Sequence, residues 1–242
     1  NTVRGQESGY ATFNPLINTH TLSNGNLTAY DTDNTWDTVP ANISFNTGKY
    51  YAEFIVDAKG WNVFGVVQLD VSSTPNFYAS HPGSGAGNKG FGWVFDPSDS
   101  RGDLTYDGTN HVYTYGSGLS SNVGDVMSIA IDLDNNNIRF YKNGVQIYNL
   151  DNTLESGGRY TYSFGSYQTA GTTVNFGQKP FKFPPPDGFQ PLNAANVRPE
   201  TVITRPDQFV AASIWTGDGT ENRLIPLNMK PDLIWIKQRN DT

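Results

Sequence analysis

The 242-residue chain contains no cysteine. That excludes disulfide frameworks, zinc–thiolate centres and cysteine nucleophiles in one step, and a chain of this length can bury a core without such staples. The missing thiols do not fix a compartment, because an extracellular protein can do without disulfides. Charge is also scarce: Asp, Glu, Lys and Arg make up 16% of residues, against about 25% in ordinary globular domains. Basic residues are the scarcer sign, giving a net charge of −7, and they are scattered. A nucleic-acid footprint needs a basic stripe, so no nucleic-acid partner is expected. No apolar run approaches the roughly 18 residues of a membrane span, and nothing reads as a signal peptide, so no membrane insertion is expected. The chain opens at Asn1 without Met and reads as a trimmed or partial sequence. Helical periodicity is missing too, since no segment sustains it over three turns.

What the chain does have is aromatic and turn-forming residues: 13 Tyr, 14 Phe, 5 Trp and 25 Gly. That profile suits β-rich, turn-rich secreted or virion proteins. Short alternating runs dominate. In KYYAEFIVDA, Tyr50, Ala52, Phe54 and Val56 share one face, and Tyr51, Glu53, Ile55 and Asp57 the other. WNVFGVVQLDV, KGFGWVFD, DLTYDG, HVYTYG, YTYSFGSY and TTVNFG are further strand candidates, each bounded by turn formers. Phe91 and Trp93, inside such a run, read as core. Strands at this spacing without intervening helices predict an antiparallel sandwich.

The stretch GDVMSIAIDLDNNNIRFYKNG, residues 124–144, poses a choice between an ion loop and a hairpin. Asp132, Asp134 and Asn136 match the first three ligand positions of a calcium loop, but the sixth and twelfth are Asn137 and Asn143 where Gly and Glu belong. The flanks alternate as strands, with Met127, Ile129, Ile131 and Leu133 on the inward face, and Asn and Asp tolerate the positive φ of a tight bend. The stretch reads as a hairpin, with Ser128 and Ala130 facing outward.

Four ordered motifs, GKYYAEF, FGVVQ, GDVMSIAIDLDNNNIRFYKNG and TVNFGQKPF, resemble the successive motifs of the SPRY domain family over residues 48–183. ATFNPLINTHTLSNGNLTAY resembles the extra strands that often precede that core. The resemblance implies an all-β fold, a bent antiparallel two-sheet sandwich of the concanavalin-like jelly-roll kind, for residues 1–193. A Pro-rich stretch then gives way to a linker over 194–204. Residues 205–242 hold two alternating runs around Gly217-Asp218-Gly219, read as a C-terminal β stub that opens a second β domain of a type found in large phage structural proteins. Two strands form no core alone, so the chain is expected to continue past Thr242.

Signals for chemistry are few. His20, His81 and His111 are far apart and form no metal-ligand pair, no Gly-x-Ser-x-Gly elbow occurs, and PGSGAGNKG lacks the ending of a phosphate loop. No catalytic residue, metal or cofactor is expected. The RGD at Arg101–Asp103 reads as a turn, and the sequons at Asn26 and Asn42 matter only in a glycosylating host. Loop aromatics remain, because Tyr and Trp offer large contact area with one orienting polar atom. The SPRY resemblance implies a shallow pocket at one loop end, with FYASHPGSG placing Tyr78 in one wall and Ser166 and Tyr167 in the other. The expected ligand-binding set is Trp61, Tyr78, His81, Tyr106, His111, Ser166 and Tyr167.

Three functions follow. The first is a non-enzymatic protein- or glycan-recognition module of a bacteriophage virion: a tail fibre, tail adhesin or surface decoration on the extracellular particle. Its partners would be other virion proteins, a host surface protein or glycan, and further copies of itself in a homo-oligomer. The second is a SPRY substrate adaptor of a ubiquitin-ligase-type complex. The third, a glycan-cleaving tailspike-type enzyme, rests on fold-level analogy, since paired carboxylates are invisible in sequence.

Overall fold

The computed structural model describes residues 9–17, 20–69, 90–97, 102–106, 110–114, 119–197, 206–227 and 229–238, with the backbone alone for 105, 106, 110–114 and 206. The described residues form fourteen strands: β1 (Thr21–Ser23), β2 (Thr28–Asp31), β3 (Asp37–Pro40), β4 (Lys49–Ala58), β5 (Trp61–Gln68), β6 (Gly90–Phe95), β7 (Gly102–Tyr106), β8 (Asn110–Thr114), β9 (Val126–Asp132), β10 (Asn137–Lys142), β11 (Val145–Asp151), β12 (Tyr160–Tyr167), β13 (Ala170–Asn175) and β14 (Gln190–Pro191). They make an eight-stranded sheet in the order β1-β2-β13-β4-β9-β10-β11, with β14 beside β4, and a six-stranded sheet in the order β3-β12-β5-β6-β7-β8. Every pairing is antiparallel except the two-residue β14–β4 contact. The sandwich expected from the alternation is therefore the one observed.

The inner faces meet in an aromatic core. Tyr50, Ala52, Phe54 and Val56 of β4 face Phe64 of β5, Trp93 of β6 and Tyr162 and Phe164 of β12 in one buried cluster. Phe54 contacts Phe64, Tyr162 and Phe176 at centroid separations of 5.5, 6.4 and 6.5 Å, within the range of favourable ring pairs. Phe91 and Trp93 are core residues, as their run implied.

The hairpin reading of residues 132–137 holds. Asp132 pairs with Asn137, leaving Leu133–Asn136 as the bend, with Asn136 at φ 53°. The bend's carboxylates bind the protein itself. Asp132 accepts from the Asn135 backbone at 2.9 Å and meets Lys49 Nζ at 2.9 Å, while Asp134 accepts the Gly48 N–H at 2.8 Å.

One expectation about β9 needs correcting. Met127, Ile129 and Ile131 face the core and Leu133 packs against its edge, but Ser128 and Ala130 on the opposite face are fully buried too. The cause is a strap. After β13 the chain runs back across the outside of the eight-stranded sheet, setting the Phe181 ring 4.9 Å from Tyr51, edge to face. Both Glu53 oxygens accept strap backbone, from Lys182 N–H at 2.9 Å and Phe183 N–H at 2.8 Å. Tyr51 and Glu53 stand opposite Ala130 and Ser128 in the register, so the strap covers the patch in which those small residues lie.

The first unit closes on itself. Ala11 N–H donates to Leu192 O at 3.1 Å and Ala194 N–H to Gly9 O at 2.9 Å, zipping its first described segment to its last. The chain divides into two compact units, Asn1–Val197 and Arg198–Thr242. In the second, the described residues hold one short 3-10 turn, Pro206–Gln208, and no paired strand. Its order centres on the Gly-Asp-Gly bend, where Asp218 accepts from Thr220 Oγ1 at 2.7 Å and from Arg223 Nη1 at 3.0 Å. Ile214, Leu224, Leu233 and Trp235 stay exposed.

Candidate functional site

At one end of the sandwich three turns converge. Trp61 opens β5 and pairs in register with Tyr167, which closes β12. Ser166 pairs on its other side with Asp37, which opens β3 and brings Trp36 alongside. Trp36 stacks on Tyr167 with ring centroids 5.2 Å apart and 25° between planes, and meets Trp61 edge to face at 5.8 Å. All three rings are half-buried. Beside them lies an open cleft of about 350 Å³, lined by Thr32, Asn34, Lys59, Gly60, Pro97, Gln168 and Thr169. Gly60 lets two of the turns touch, since a Cβ there would stand 2.2 Å from the Thr169 carbonyl oxygen. Asn62 fixes the same turn by donating its amide to Ala58 O at 3.1 Å and Gly60 O at 3.3 Å.

Beneath the rings lies a polar layer. Ser166 donates to Asp31 Oδ2 at 2.7 Å, and its hydroxyl oxygen lies 2.8 Å from His20 Nε2. Because the single serine proton goes to Asp31, His20 must donate through Nε2, which fixes the neutral tautomer. This wiring is the reverse of nucleophile activation, where the histidine accepts the serine proton and the carboxylate orients the histidine. All three side chains are buried. Burial holds the His20 imidazole below its ordinary pKa, outweighing the raising influence of Asp31, Asp37 and Asp33. Hydrogen bonds from the Thr35 side chain and backbone lower the Asp33 carboxyl.

The oxygens of Asp31, Asp33 and Asp37 lie within 4.8 Å of one another. Loop donors engage them: Asp33 N–H donates to Asp31 at 3.1 Å, Thr35 N–H donates to Asp33 at 2.9 Å, and the one Thr35 hydroxyl proton is shared between Asp33 at 2.6 Å and Asp37 at 3.1 Å. The cluster is a stitched turn that holds Trp36 in place.

The residues expected to bind ligand do not form one set. Trp61 and Tyr167 come together as expected. Ser166 is fully buried, so it supports the rings from below and offers no contact surface. Tyr106 lies at the opposite end of the six-stranded sheet: Trp61 is at the end where Phe95 pairs with Gly102, whereas Tyr106 pairs with Phe91 and Asn110. His111, beside it on β8, pairs with Thr105 at that same far end. Alternate antiparallel strands reverse direction, so nearness in sequence misleads about which end a residue occupies. Tyr78 and His81 lie outside the described residues. Sequence reasoning missed Trp36, for which the signal was DTDNTWD, a turn of alternating Asp ending on an aromatic.

Comparison with known proteins settles the fold. No family model matches the chain. Over 70% of its length it superposes on the PSpry domain of TRIM65 with a TM-score of 0.53 and 17% identity, covering 94% of that chain. The SPRY domain of human HERC1 gives a TM-score of 0.51 at 15% identity over 69% of this chain and 99% of the other. Stonustoxin matches with a TM-score of 0.51 at 14% identity, over 69% of this chain and 27% of its own. The first unit therefore has the SPRY fold. In sequence, 84 residues are 39% identical to an E3 ubiquitin-protein ligase, RKP, of Arabidopsis thaliana. That match takes in 34% of this chain and only 6% of the plant protein.

Proposed function

We propose that the chain is a non-enzymatic recognition module that grips a peptide or another protein's surface through Trp36, Trp61 and Tyr167. The observation that carries the reading is the ring cluster. Three half-buried rings beside an open polar cleft are the arrangement in which a few aromatic anchors supply most contact energy. Asn34, Gln168 and Lys59 provide orienting polar groups around them. Our preferred setting is a structural protein of a bacteriophage virion, an extracellular particle. The support is compositional: an acidic, Gly- and aromatic-rich chain without cysteine. A substrate-recognition part of a ubiquitin ligase is the second reading, and the partial match to the plant ligase favours it.

The test is a screen of the full chain against a peptide array. Trp36→Ala and Tyr167→Ala should each weaken the selected ligand at least tenfold, in line with the roughly 2 kcal/mol or more that truncating such an anchor typically costs, with little change in melting temperature. Ring variants that bind normally would place the contact surface elsewhere. Release of reducing ends from bacterial surface polysaccharide, abolished by one carboxylate substitution, would overturn the non-enzymatic reading.

A further inference from the structure

We propose that Gln168 is the specificity-determining residue of the ring-cluster site: its carboxamide holds the main chain of an extended peptide, one of whose side chains lies on Trp36, Trp61 and Tyr167. The inference rests on the recognition reading and names the part of the ligand that the cleft beside the rings takes.

Backbone conformation carries it. Gln168 and Thr169 form the two-residue turn by which the chain leaves β12 in one sheet and enters β13 in the other, and Gln168 stands at φ 64°. A residue with a Cβ is strained in that left-handed region, and Asn tolerates it better than most. Among the described residues seven non-glycine positions have positive φ, and the other six are all Asn. The chain therefore uses Asn where the turn alone decides, and departs from it once, at the cleft. Nothing in the fold asks for glutamine there. The Gln168 N–H donates to Asp33 O at 2.8 Å, a bond that any residue but Pro would make, and the side chain is exposed. Strain that the fold does not need gathers where a side chain serves a contact.

The surroundings say what the carboxamide meets. Along the β2–β3 turn alternate residues divide. Asp31, Asp33, Thr35 and Asp37 bond within the turn, whereas Thr32 and Asn34 line the cleft together with Lys59, Gln168 and Thr169. Among the described residues, none of those five side chains is hydrogen-bonded within the chain. A carboxamide offers two donors and one acceptor, the complement of the C=O and N–H that each residue of a peptide presents. Gln168 can thus pair with both main-chain groups of one ligand residue, and Asn34 offers the same set from the neighbouring turn. Tyr167 is covalently next to Gln168, so a main chain held at 168 sets the adjoining ligand side chain against the stacked rings.

The experiment measures stability and binding on the same full-chain variants. Gln168→Gly and Gln168→Asn relieve the left-handed position, so each should raise the melting temperature by about 2–4 °C. Asn24→Gln makes the reverse exchange at φ 52° in the β1–β2 turn, at the other end of β2 from the cleft. It should lower the melting temperature by a similar amount and leave binding alone. The binding probe is the peptide that the array selects, fluorescein-labelled and titrated by anisotropy. Gln168→Gly should bind it about five- to tenfold more weakly than wild type, in line with one or two neutral hydrogen bonds. Analogues of the probe, each N-methylated at one main-chain nitrogen, supply the readout that a structural role would not move. One of them should be bound poorly by wild type and no worse than the parent peptide by Gln168→Gly. A lowered melting temperature in both Gln168 variants would mean that glutamine serves the fold, and overturns the proposal. So does an N-methyl profile that is the same in wild type and Gln168→Gly. A peptide lost by Trp36→Ala but bound equally by wild type and Gln168→Gly defeats this contact and leaves the recognition reading standing, whereas an array that retains no peptide defeats both.

Discussion

Glu53 is almost wholly buried, yet each of its oxygens takes a backbone N–H from the strap. A buried carboxylate is tolerable only with such donors. Glu53→Ala would strand two backbone N–H groups, at about 1–3 kcal/mol each, and should lower the melting temperature sharply. Glu53→Gln keeps one acceptor and should lose less, so a calorimetric ranking of wild type, Gln and Ala checks the clamp. Asp132 gives a pH signature. Burial alone would raise its carboxyl, but hydrogen bonds from Asn135 and Lys49 hold it below the usual range. A lowered folded pKa means stability present above the unfolded value of about 3.9 and lost as pH falls through the folded one. Lys49→Met should therefore lose less stability than wild type on going from pH 5 to pH 2, measured by urea midpoints. At this scale the sequence was half legible. Alternation placed Glu53 off the core face correctly, but alternation says nothing about what will cover that face.

At the scale of the element, β9 and the strap explain one another. Period-two alternation made Met127, Ile129 and Ile131 readable as core, because an inward face must be apolar. Ser128 and Ala130 gave no sign of burial, since small residues suit both a solvated face and one covered closely by another segment. What covers them comes from Phe181–Phe183, roughly fifty positions further on, and no local pattern links the two. The strap also explains Gly144, which has φ 78° and where a Cβ would stand 2.5 Å from the Phe183 ring. Phe181→Ser with Phe183→Ser should loosen the strap while leaving the sandwich paired. Hydrogen exchange should rise in β4 and β9, and a hydrophobic dye should bind. Unchanged exchange in both strands would mean the strap covers the face without protecting it.

The whole molecule was the most legible scale for fold and the least for site. Four motifs in order, each a strand or hairpin, left little freedom once alternation had set the faces. The site needed knowledge of which strand ends lie together, and Tyr106 and His111 stand at the opposite end of the sheet from Trp61. The absence of cysteine makes this directly measurable. Paired spin labels on introduced cysteines at Thr32 and Thr169 should lie close. Labels at Thr169 and Asn110 should be separated by more than about 15 Å, the length of a five-residue strand at roughly 3.3 Å per residue. Similar distances for the two pairs would restore a single loop-end site.

The zipper between residues 9–11 and 192–194 has a mechanical meaning. The first and last described segments of the first unit are paired side by side, so tension applied to them runs from Ala11 to Leu192 and from Gly9 to Ala194 before it reaches the sheets. Those few bonds, with the Tyr10–Asn193 bridge between them, are the first to bear load, and the aromatic core stays slack until they part. The ring cluster is carried by β3, β5 and β12, off that load path, so the domain can be tugged at its ends while the grip of Trp36, Trp61 and Tyr167 keeps its shape.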